Sequence, residues 1–284
     1  MSKVNVKDVA LLRKQTGVGF SACSDALKQN NGDIEAAKDF LRKKGLANAE
    51  KKGGRIAAEG VIAIEVSGQQ AMMLEQNCET DFVAKNEDFV QFAKQLVTEG
   101  LAADCQDVKA LMAHQDFESQ RQQLVLTLGE NIQVRRLHLM KAKNSIEYYQ
   151  HGSKIGVMID FEGPSEVGKD IAMHVAATNP SAISIDQLPE ALVKREREIA
   201  EAQTQALNKP KEIVEKILEG KLKKTLGEMC LLNQAFIKDT SQSVSQYLSE
   251  HNASVNQIIR YEVGEGIEKK QENFAEEVKK QLGD

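Results

Sequence analysis

The sequence predicts an α+β protein, because helical and strand-like patterns of apolar residues succeed each other along its 284 residues. Apolar residues recur at helical spacing in the first 45 residues and again in the stretch 187–229. Two pairs of strand-like segments, each followed by a helical stretch and a later strand, occupy most of the remaining chain. We therefore expect small antiparallel sheets with helices on one face, an N-terminal three-helix module, an inserted helical hairpin and a C-terminal helix.

The composition excludes several function classes. Hydrophobic residues make up 41% and charged residues 28%, and the net charge is −5 with both signs interleaved. No basic stripe of the kind that phosphate backbones require is present, so we expect no direct contact with nucleic acid. No apolar run approaches the roughly 18 to 20 residues of a membrane span, and no signal-peptide core is found, so we expect a cytoplasmic protein without membrane contact. Four widely spaced cysteines are expected to be buried thiols: Cys23, Cys78, Cys105 and Cys230.

Residues 1–45 predict a compact module of three short helices separated by glycine-containing turns. Asp33 is a favourable N-cap for the third helix, which we expect to end at Gly45 after two lysines that suit a helix C-terminus. Three helices of this length resemble a ubiquitin-associated domain. Residues 46–60 are rich in Ala, Gly, Lys and Glu and predict a linker that lets the module swing.

The first core half, residues 61–143, begins with a hairpin pattern. Val61–Val66 and Ala71–Asn77 are apolar segments that flank a Ser-Gly turn signal. Two helices and a strand are expected to follow at Asp88–Glu99, Phe117–Thr127 and Ile132–Met140. The expected order is therefore hairpin, helices, strand.

The second core half, residues 144–186 and 230–263, is expected to repeat that order. Its hairpin strands are predicted at Ile146–Gly152 and Ile155–Phe161, its helix at Val167–Ala177 and its closing strand at Ile258–Val263. The repetition predicts two core halves of similar topology.

Residues 187–229 interrupt the second half with two charged helical stretches, Glu190–Ala206 and Ile213–Met229. A narrow apolar stripe under dense charge is typical of an antiparallel coiled-coil hairpin. We expect its seam to contain these apolar residues of the two stretches: Leu192, Ile199, Ala206, Ile213, Ile217, Leu222, Leu226 and Met229. An apolar stripe in residues 264–284 predicts a C-terminal helical module that follows a glycine-containing turn.

Motifs for catalysis or cofactor binding are missing from the sequence. There is no G-x-x-x-x-G-K-[ST] phosphate loop, no G-x-S-x-G nucleophile motif and no His/Cys spacing suited to a metal. Glu79 and Asp81 could form the acidic pair of a metal-free enzyme, and this alternative predicts turnover of a small molecule. We expect instead a protein that acts by binding and needs no cofactor, metal or catalytic residue.

Residues Thr80–Val83, called the tip below, directly follow the first hairpin. Thr80 and Asp81 are both favourable N-cap residues, so a helical turn is expected to begin here. In one interpretation Phe82 and Val83 turn into the core and Asp81 caps the helix; in the other, the helix start presents Phe82 outward. The segment Asn77–Ala84, NCETDFVA, is similar to the signature of the bacterial elongation factor Ts family.

The resemblance to the elongation factor Ts family extends over nearly the whole chain. Further similar segments are Thr16–Gly19, Asn31–Glu35, Tyr148–Gly152 and Ile171–Ala177. The N-terminal module departs from the family, which usually has an acidic residue before the cysteine and lysines after it. The corresponding residues in this chain are Ala22, Ser24 and Asp25.

The resemblance implies a guanine-nucleotide exchange factor that binds elongation factor Tu, both GDP-bound and nucleotide-free, and promotes GDP release in translation elongation. It implies that the residues of the tip bind the partner and dislocate its magnesium ion: Thr80, Asp81, Phe82 and Val83. Further partner contacts are implied at Leu128, Gly129, His151, Phe236 and Ile237. His151 has a second interpretation, a hydrogen-bonded structural residue beside two tyrosines.

Two questions stay open at this level. The pairing with the partner could be a single Tu–Ts heterodimer or a dimer of heterodimers. A different function class, a ubiquitin-like-binding adaptor or scaffold, is also compatible with the N-terminal module, and it predicts that residues 1–45 suffice for function.

Overall fold

Helices and short strands alternate through the computed structural model, which describes residues 4–205 and 210–268. This mixture places the chain in the predicted α+β class. The α-helices of these residues are α1 (Val6–Thr16), α2 (Phe20–Gln29), α3 (Ile34–Lys52), α4 (Asp81–Ala84), α5 (Glu87–Ala102), α6 (Val108–Ala113), α7 (Phe117–Leu128), α8 (Ser165–Thr178), α9 (Glu190–Gln205), α10 (Lys211–Glu228) and α11 (Val244–Glu250). The strands are β1 (Glu59–Ser67), β2 (Gln70–Cys78), β3 (Gln133–Lys141), β4 (Ser145–His151), β5 (Ile155–Glu162), β6 (Ala235–Phe236), β7 (Asp239–Ser243) and β8 (Ser254–Glu262). The predicted C-terminal helix lies almost entirely outside the described residues, as do residues 206–209.

Two of the sheets share one plan. The strand order is β1-β2-β3 in the first and β4-β5-β8 in the second, so a later strand lies beside the second strand of each hairpin. β4 and β5 pair antiparallel, with Ser145 opposite Phe161 and His151 opposite Ile155. A short antiparallel pair, β6 and β7, lies between the helical hairpin and α11 in the sequence.

The chain folds as two compact units. Unit 1 contains the described residues within 1–63, 74–137 and 262–284, and unit 2 contains those within 64–73 and 138–261. Large side chains that are fully buried in unit 1 include Leu74, Phe89, Leu96, Leu111 and Phe117. The core of unit 2 is built from α8, the hairpin β4-β5 and α11, and its buried residues include Val157, Ile159, Phe161, Ile171, Val175, Phe236 and Leu248. The predicted module boundaries stay predictions.

The third helix of the N-terminal module does not end at Gly45, because α3 continues to Lys52. A Cβ atom on Gly45 would lie 3.5 Å from the carbonyl oxygen of Gln122 and 3.7 Å from a methyl carbon of Leu126. Position 45 therefore lies against α7 at ordinary contact distance, and Leu126 of α7 contacts the core of the module. The prediction was wrong because it gave glycine a helix-ending role at a position where α3 packs against another helix and continues. The first part of the predicted linker 46–60 is consequently helical.

Two short helices were missed in the sequence. α6 has six residues, too few for an apolar period to be recognised, and begins where Asp107 accepts a hydrogen bond from the Ala110 N–H at 2.8 Å. α11 begins at a reciprocal capping box, in which Ser243 and Gln246 each accept a hydrogen bond from the other's backbone N–H at 3.2 and 2.8 Å. The Ser-x-x-Gln spacing is the signal by which this start can be found.

The helices α9 and α10 pack against each other, and the predicted seam is confirmed in part. Ile199 and Ile213 are exposed, whereas Ala200 and Thr204 are buried on α9. Four of the predicted seam residues do pack in one cluster beside the segment that precedes α9: Leu192, Leu222, Leu226 and Met229. Towards the C-terminal end of α9, the buried face runs instead through the small residues next to Ile199, where a bulky side chain would keep the helices apart.

A buried carboxylate joins three segments of unit 1. Glu75 on β2 is fully buried, and its Oε2 lies 3.1 Å from Arg135 Nη1 and 2.6 Å from Arg136 Nε on β3. Its Oε1 accepts hydrogen bonds from Asn77 Nδ2 at 3.0 Å and from the Gly264 N–H at 2.8 Å. Burial alone would raise the pKa of Glu75, but the bonds from Gly264, Asn77 and Arg136 outweigh it and hold the pKa below its usual value.

We predict that Glu75→Gln lowers the free energy of unfolding by about 3 kcal/mol at pH 7, because two arginines then lose the charge that they surround. Since the pKa of Glu75 is lowered on folding, this contribution is present above the usual value of 4.5 and is lost as the pH falls through the lower folded value. Urea unfolding between pH 7 and pH 3 tests the change. The difference in unfolding free energy between Glu75→Gln and wild type should shrink below pH 4.5. The difference for the exposed control Glu35→Gln should stay near zero. A difference for Glu75→Gln that does not change with pH would contradict a charged, stabilising Glu75.

We also predict opposite effects for two helical glycines. A Cβ on Gly168 of α8 would lie 2.5 Å from Glu147 Cγ and 2.8 Å from Phe161 Cδ1, so Gly168→Ala should destabilise the chain by about 1 to 3 kcal/mol through overpacking. A Cβ on Gly220 of α10 meets no atom within 4 Å, so Gly220→Ala should stabilise the helix by up to about 1 kcal/mol. Denaturant midpoints measured on the full chain check both signs, and a stabilising Gly168→Ala would show that α8 does not pack on the hairpin this closely.

Candidate functional site

The tip is a single helical turn that begins as β2 ends. Thr80 has an extended backbone, with φ −123° and ψ 157°, and its Oγ1 accepts a hydrogen bond from the Val83 N–H at 3.4 Å. Thr80 is therefore the N-cap of α4, and the interpretation in which Asp81 caps the helix is wrong. Asn86 caps α5 immediately afterwards, accepting hydrogen bonds from the N–H groups of Asp88 and Phe89 at 3.0 and 3.3 Å.

Phe82 is the most exposed large apolar side chain among the described residues. It is 82% exposed, while Val83 is half-buried and Ala84 is buried beneath the turn. The interpretation in which Phe82 turns into the core is therefore wrong. Full burial of a phenylalanine side chain stabilises the folded state by about 1.5 to 3 kcal/mol. Phe89 and Phe117 of the same unit are fully buried and make this contribution, whereas the exposed ring of Phe82 does not.

Asp81 directly precedes Phe82 in the sequence and lies on the same helical turn. Lys85 Nζ donates to its Oδ2 at 2.7 Å, and both side chains are largely exposed. This hydrogen bond lowers the pKa of Asp81 below its usual value, so the carboxylate is charged at neutral pH. The tip therefore combines one apolar ring with one negative charge in an accessible position.

The backbone beneath the tip is held by a residue that the sequence analysis did not identify. Glu130 Oε2 accepts hydrogen bonds from the N–H groups of Glu79 and Thr80, both at 2.9 Å, and its Oε1 accepts one from Thr80 Oγ1 at 2.6 Å. In return, Glu79 Oε1 accepts a hydrogen bond from the Asn131 N–H at 2.7 Å. These partners are about fifty positions apart in the sequence, and no local pattern reveals such a contact.

The turn that carries Glu130 also contains the predicted contacts Leu128 and Gly129. Leu128 is the half-buried last residue of α7, and Gly129 ends the helix in the left-handed region at φ 80°. The carbonyl oxygen of Gly129 accepts a hydrogen bond from Lys52 at the end of α3. Within unit 1, the structure thus brings the tip, the predicted Leu128–Gly129 pair and the end of α3 together.

The predicted residues of unit 2 have contrasting environments. Phe236 is buried and stacks on Tyr247, with ring centroids 4.1 Å apart, whereas Ile237 is 45% exposed. Only Ile237 of this pair therefore has a side chain available to a partner. His151 is exposed at the end of β4, where its Nδ1 lies 3.2 Å from Tyr149 Oη, so it is hydrogen-bonded and accessible at once.

A buried histidine that the prediction did not select holds the loop before Ile237. The Ile237 N–H donates to His174 Nδ1 at 3.2 Å, so the proton of the neutral ring is on Nε2, which donates to Gln234 Oε1 at 2.9 Å. Burial lowers the pKa of His174 more than the bond to Gln234 raises it, and the ring is neutral at pH 7. His174 thus fixes the position at which Ile237 leaves the core.

The alternative of an acidic catalytic pair finds no geometric support in the described residues. Glu79 accepts hydrogen bonds from Asn131 and Arg55, whereas Asp81 pairs with Lys85 and has a lowered pKa, the opposite of what a general acid needs. Among those residues no group of three or more His, Cys, Asp or Glu side chains is placed to hold a metal ion.

Two further predictions can be compared with the described part of the chain. No helix in it is long and apolar enough to cross a membrane. The four cysteines are free and buried, which confirms the prediction of buried thiols.

Comparison with known proteins gives one consistent result. A family model described as Elongation factor TS matches residues 79–265, a range that includes the tip, the turn at 128–131 and Ile237. Elongation factor Ts of Hydrogenovibrio crunogenus is 46% identical over 283 residues, which cover 97% of this chain and 96% of the relative. The relative from Legionella pneumophila strain Lens is 46% identical over 290 residues, 99% of both chains. That from Psychrobacter sp. is 45% identical over 284 residues, 98% of this chain and 97% of the relative.

The exposure of Phe82 predicts that its removal leaves the fold intact. Phe82→Ala should change the free energy of unfolding by no more than about 0.5 kcal/mol, because the side chain has almost no packing to lose. Phe89→Ala, made at a fully buried position in the next helix, α5, should cost about 3 to 5 kcal/mol. Equilibrium urea unfolding measures both, and a large loss for Phe82→Ala would return this ring to the core.

Proposed function

The chain belongs to the elongation factor Ts family, and from this premise we propose that it is a guanine-nucleotide exchange factor for elongation factor Tu. It binds the GDP-bound partner in the cytoplasm, promotes GDP release during translation elongation, and leaves the partner nucleotide-free. It acts by binding and does not catalyse a covalent reaction itself. The observation that carries the proposal is Phe82, an apolar ring held in solvent on a turn that is anchored from below.

The target of the tip is the magnesium and phosphate site of the partner. Magnesium requires near-ideal octahedral geometry and keeps several waters, so a small displacement of its neighbours weakens its binding strongly. Phe82 inserts into an apolar gap beside that site, and the charged Asp81 disturbs the water and hydrogen-bond shell of the ion. GDP then loses both its metal and the tight fit of its phosphate loop.

Two features of the tip support this role. Its base is fixed before binding, which reduces the ordering that docking would otherwise require. The carboxylate of Asp81 is charged and exposed, and the side chain of its partner Lys85 is long and 75% exposed. A pair this exposed contributes little stability, so Asp81 can exchange Lys85 for groups of the partner at small cost.

The tip alone does not supply enough free energy. If the factor weakens GDP binding about a thousandfold, the coupling free energy is about 4 kcal/mol, and GDP weakens the binding of the factor by the same amount. Burial of Phe82 accounts for about 1.5 to 3 kcal/mol of it before any cost of docking. Broader contacts must provide the rest, and the candidates are Leu128, Gly129, His151, Ile237 and the N-terminal module.

Release of a fluorescent GDP from elongation factor Tu, followed by stopped flow, tests the proposal. The intact chain should accelerate release, and Asp81→Ala/Phe82→Ala should reduce the acceleration by about 10- to 100-fold, because the wedge and its charge are lost. The double variant must first be shown to be folded by its unfolding midpoint.

The control is Ile213→Ala, which removes an exposed apolar side chain from the helical hairpin and should leave release unchanged. If the intact chain does not accelerate release, the exchange function is refuted. Full acceleration by the double variant would instead refute the role of the tip while leaving the function standing.

A further inference from the structure

We propose that Glu130 is the positioning residue of the tip, which it holds in the orientation that delivers Phe82 to the partner. The inference rests on the proposed exchange function and adds to it a residue that need not touch the partner's nucleotide site. Glu130 lies in the turn after α7, and its half-buried carboxylate reaches the two residues through which β2 passes into α4.

The geometry of the carboxylate is specific to this task. One oxygen receives the consecutive N–H groups of Glu79 and Thr80, and the other receives the hydroxyl of Thr80. The same hydroxyl oxygen accepts the hydrogen bond from Val83 that caps α4. Glu130 is therefore linked through a single atom, Thr80 Oγ1, to the first turn of the helix that carries Phe82.

The hydrogen bonds within α4 are too few to hold this orientation by themselves. α4 has four residues, and an isolated helical turn is unstable because its nucleation fixes several dihedral angles for one hydrogen bond. Phe82 contributes almost no packing, since it is 82% exposed. The direction of the ring must therefore be set at the base of the turn, where Glu130 provides three hydrogen bonds.

The turn that carries Glu130 is itself fixed on both sides. The Gly129 carbonyl accepts from Lys52, and Asn131 Nδ2 donates to the Arg55 carbonyl at 2.8 Å. The Asn131 N–H donates to Glu79 Oε1 at 2.7 Å, so the two segments exchange hydrogen bonds in both directions. Because its own turn is fixed, the Glu130 side chain can fix the position of the tip, which a side chain on an unsupported turn could not do.

A positioning role predicts a particular pattern of kinetic effects. Without Glu130 the docking residues Leu128, His151 and Ile237 are still present, so the concentration of factor that gives half-maximal release should change little. The maximal rate of GDP release should fall, because the tip then reaches the partner in many orientations. A residue that only stabilised the fold would alter neither quantity once the protein is folded.

A double-mutant cycle in the full chain provides the test. In stopped-flow release of fluorescent GDP from elongation factor Tu, Glu130→Ala should lower the maximal rate about tenfold, as expected for loss of charged hydrogen bonds. The same substitution in a Phe82→Ala background should lower it less than about twofold, because Glu130 acts through Phe82. Glu130→Gln should retain most of the rate, since its amide oxygen can accept the two backbone N–H groups while its NH2 group donates to Thr80 Oγ1.

A second readout does not depend on the partner. Hydrogen exchange of the Glu79 and Thr80 amides, measured by NMR, should be faster in Glu130→Ala than in the wild type and nearly unchanged in Glu130→Gln. If Glu130→Ala does not fold, Thr80→Val replaces it in the cycle, because this substitution removes the hydroxyl that links Glu130 to α4. Thr80→Val should also lower the maximal rate in the wild-type background, and it should hardly change the rate in the Phe82→Ala background.

The outcomes separate the two hypotheses. Equal losses for Glu130→Ala in both backgrounds, or a Glu130→Gln variant as slow as Glu130→Ala, would overturn the positioning role, because the first indicates action elsewhere and the second a direct charge contact. In either case the exchange function would stand, since the wild type accelerates release. If the wild type fails to accelerate release, the exchange function itself is refuted and the positioning role falls with it.

Discussion

Backbone N–H groups between the end of a strand and the start of a helix have no acceptor in either element. The tip depends on how the structure satisfies two such groups. The N–H groups of Glu79 and Thr80 follow β2 and precede α4, so they belong to no strand ladder or helix. A carboxylate from the turn after α7 accepts both. Because an unsatisfied N–H costs most where water is excluded, the part-buried bond from Glu79 contributes more than the exposed bond from Thr80. The outward direction of Phe82 follows from the satisfied backbone beneath it.

Three carboxylates of unit 1 differ in role because they differ in environment. Glu75 is fully buried among two arginines and donors from Asn77 and Gly264, so it joins segments and is unavailable to a partner. Asp81 is exposed and bound only to an exposed lysine, which leaves it free to change partners. Glu130 lies between these extremes, with its oxygens directed at two backbone N–H groups and one hydroxyl rather than at charge. In the proposed function, the same functional group thus serves cohesion, recognition and orientation according to its depth and its donors.

The sequence predicts the elements well where periodicity or turn chemistry is local, and it predicts less where a distant contact decides. The hairpins, α5, α7 and α8 lie close to their predicted bounds because their apolar faces repeat over many residues. The orientation of Phe82 depends on Glu130, and the persistence of α3 past Gly45 depends on α7, so neither is encoded in neighbouring residues. In the pair Phe236 and Ile237, a stacked tyrosine from α11 selects which side chain is buried, and α11 itself was missed. The family resemblance indicates a candidate site, and the contacts in the structure separate its accessible residues from those that support them.

The hydrogen bond from Gly264 to Glu75 has a consequence for how the chain is made. Unit 1 takes its residues from the beginning of the chain and from the segment after Tyr261, whereas most of unit 2 is continuous in sequence. On the ribosome, unit 2 can therefore fold as soon as its strand β8 emerges, but Glu75 must wait until residue 264 has been synthesised before its last donor arrives. A contact between positions so far apart raises the contact order of unit 1 and slows its completion. Unit 1 is consequently completed only after the last strand of unit 2 has been synthesised, although most of its described residues precede that unit in the sequence.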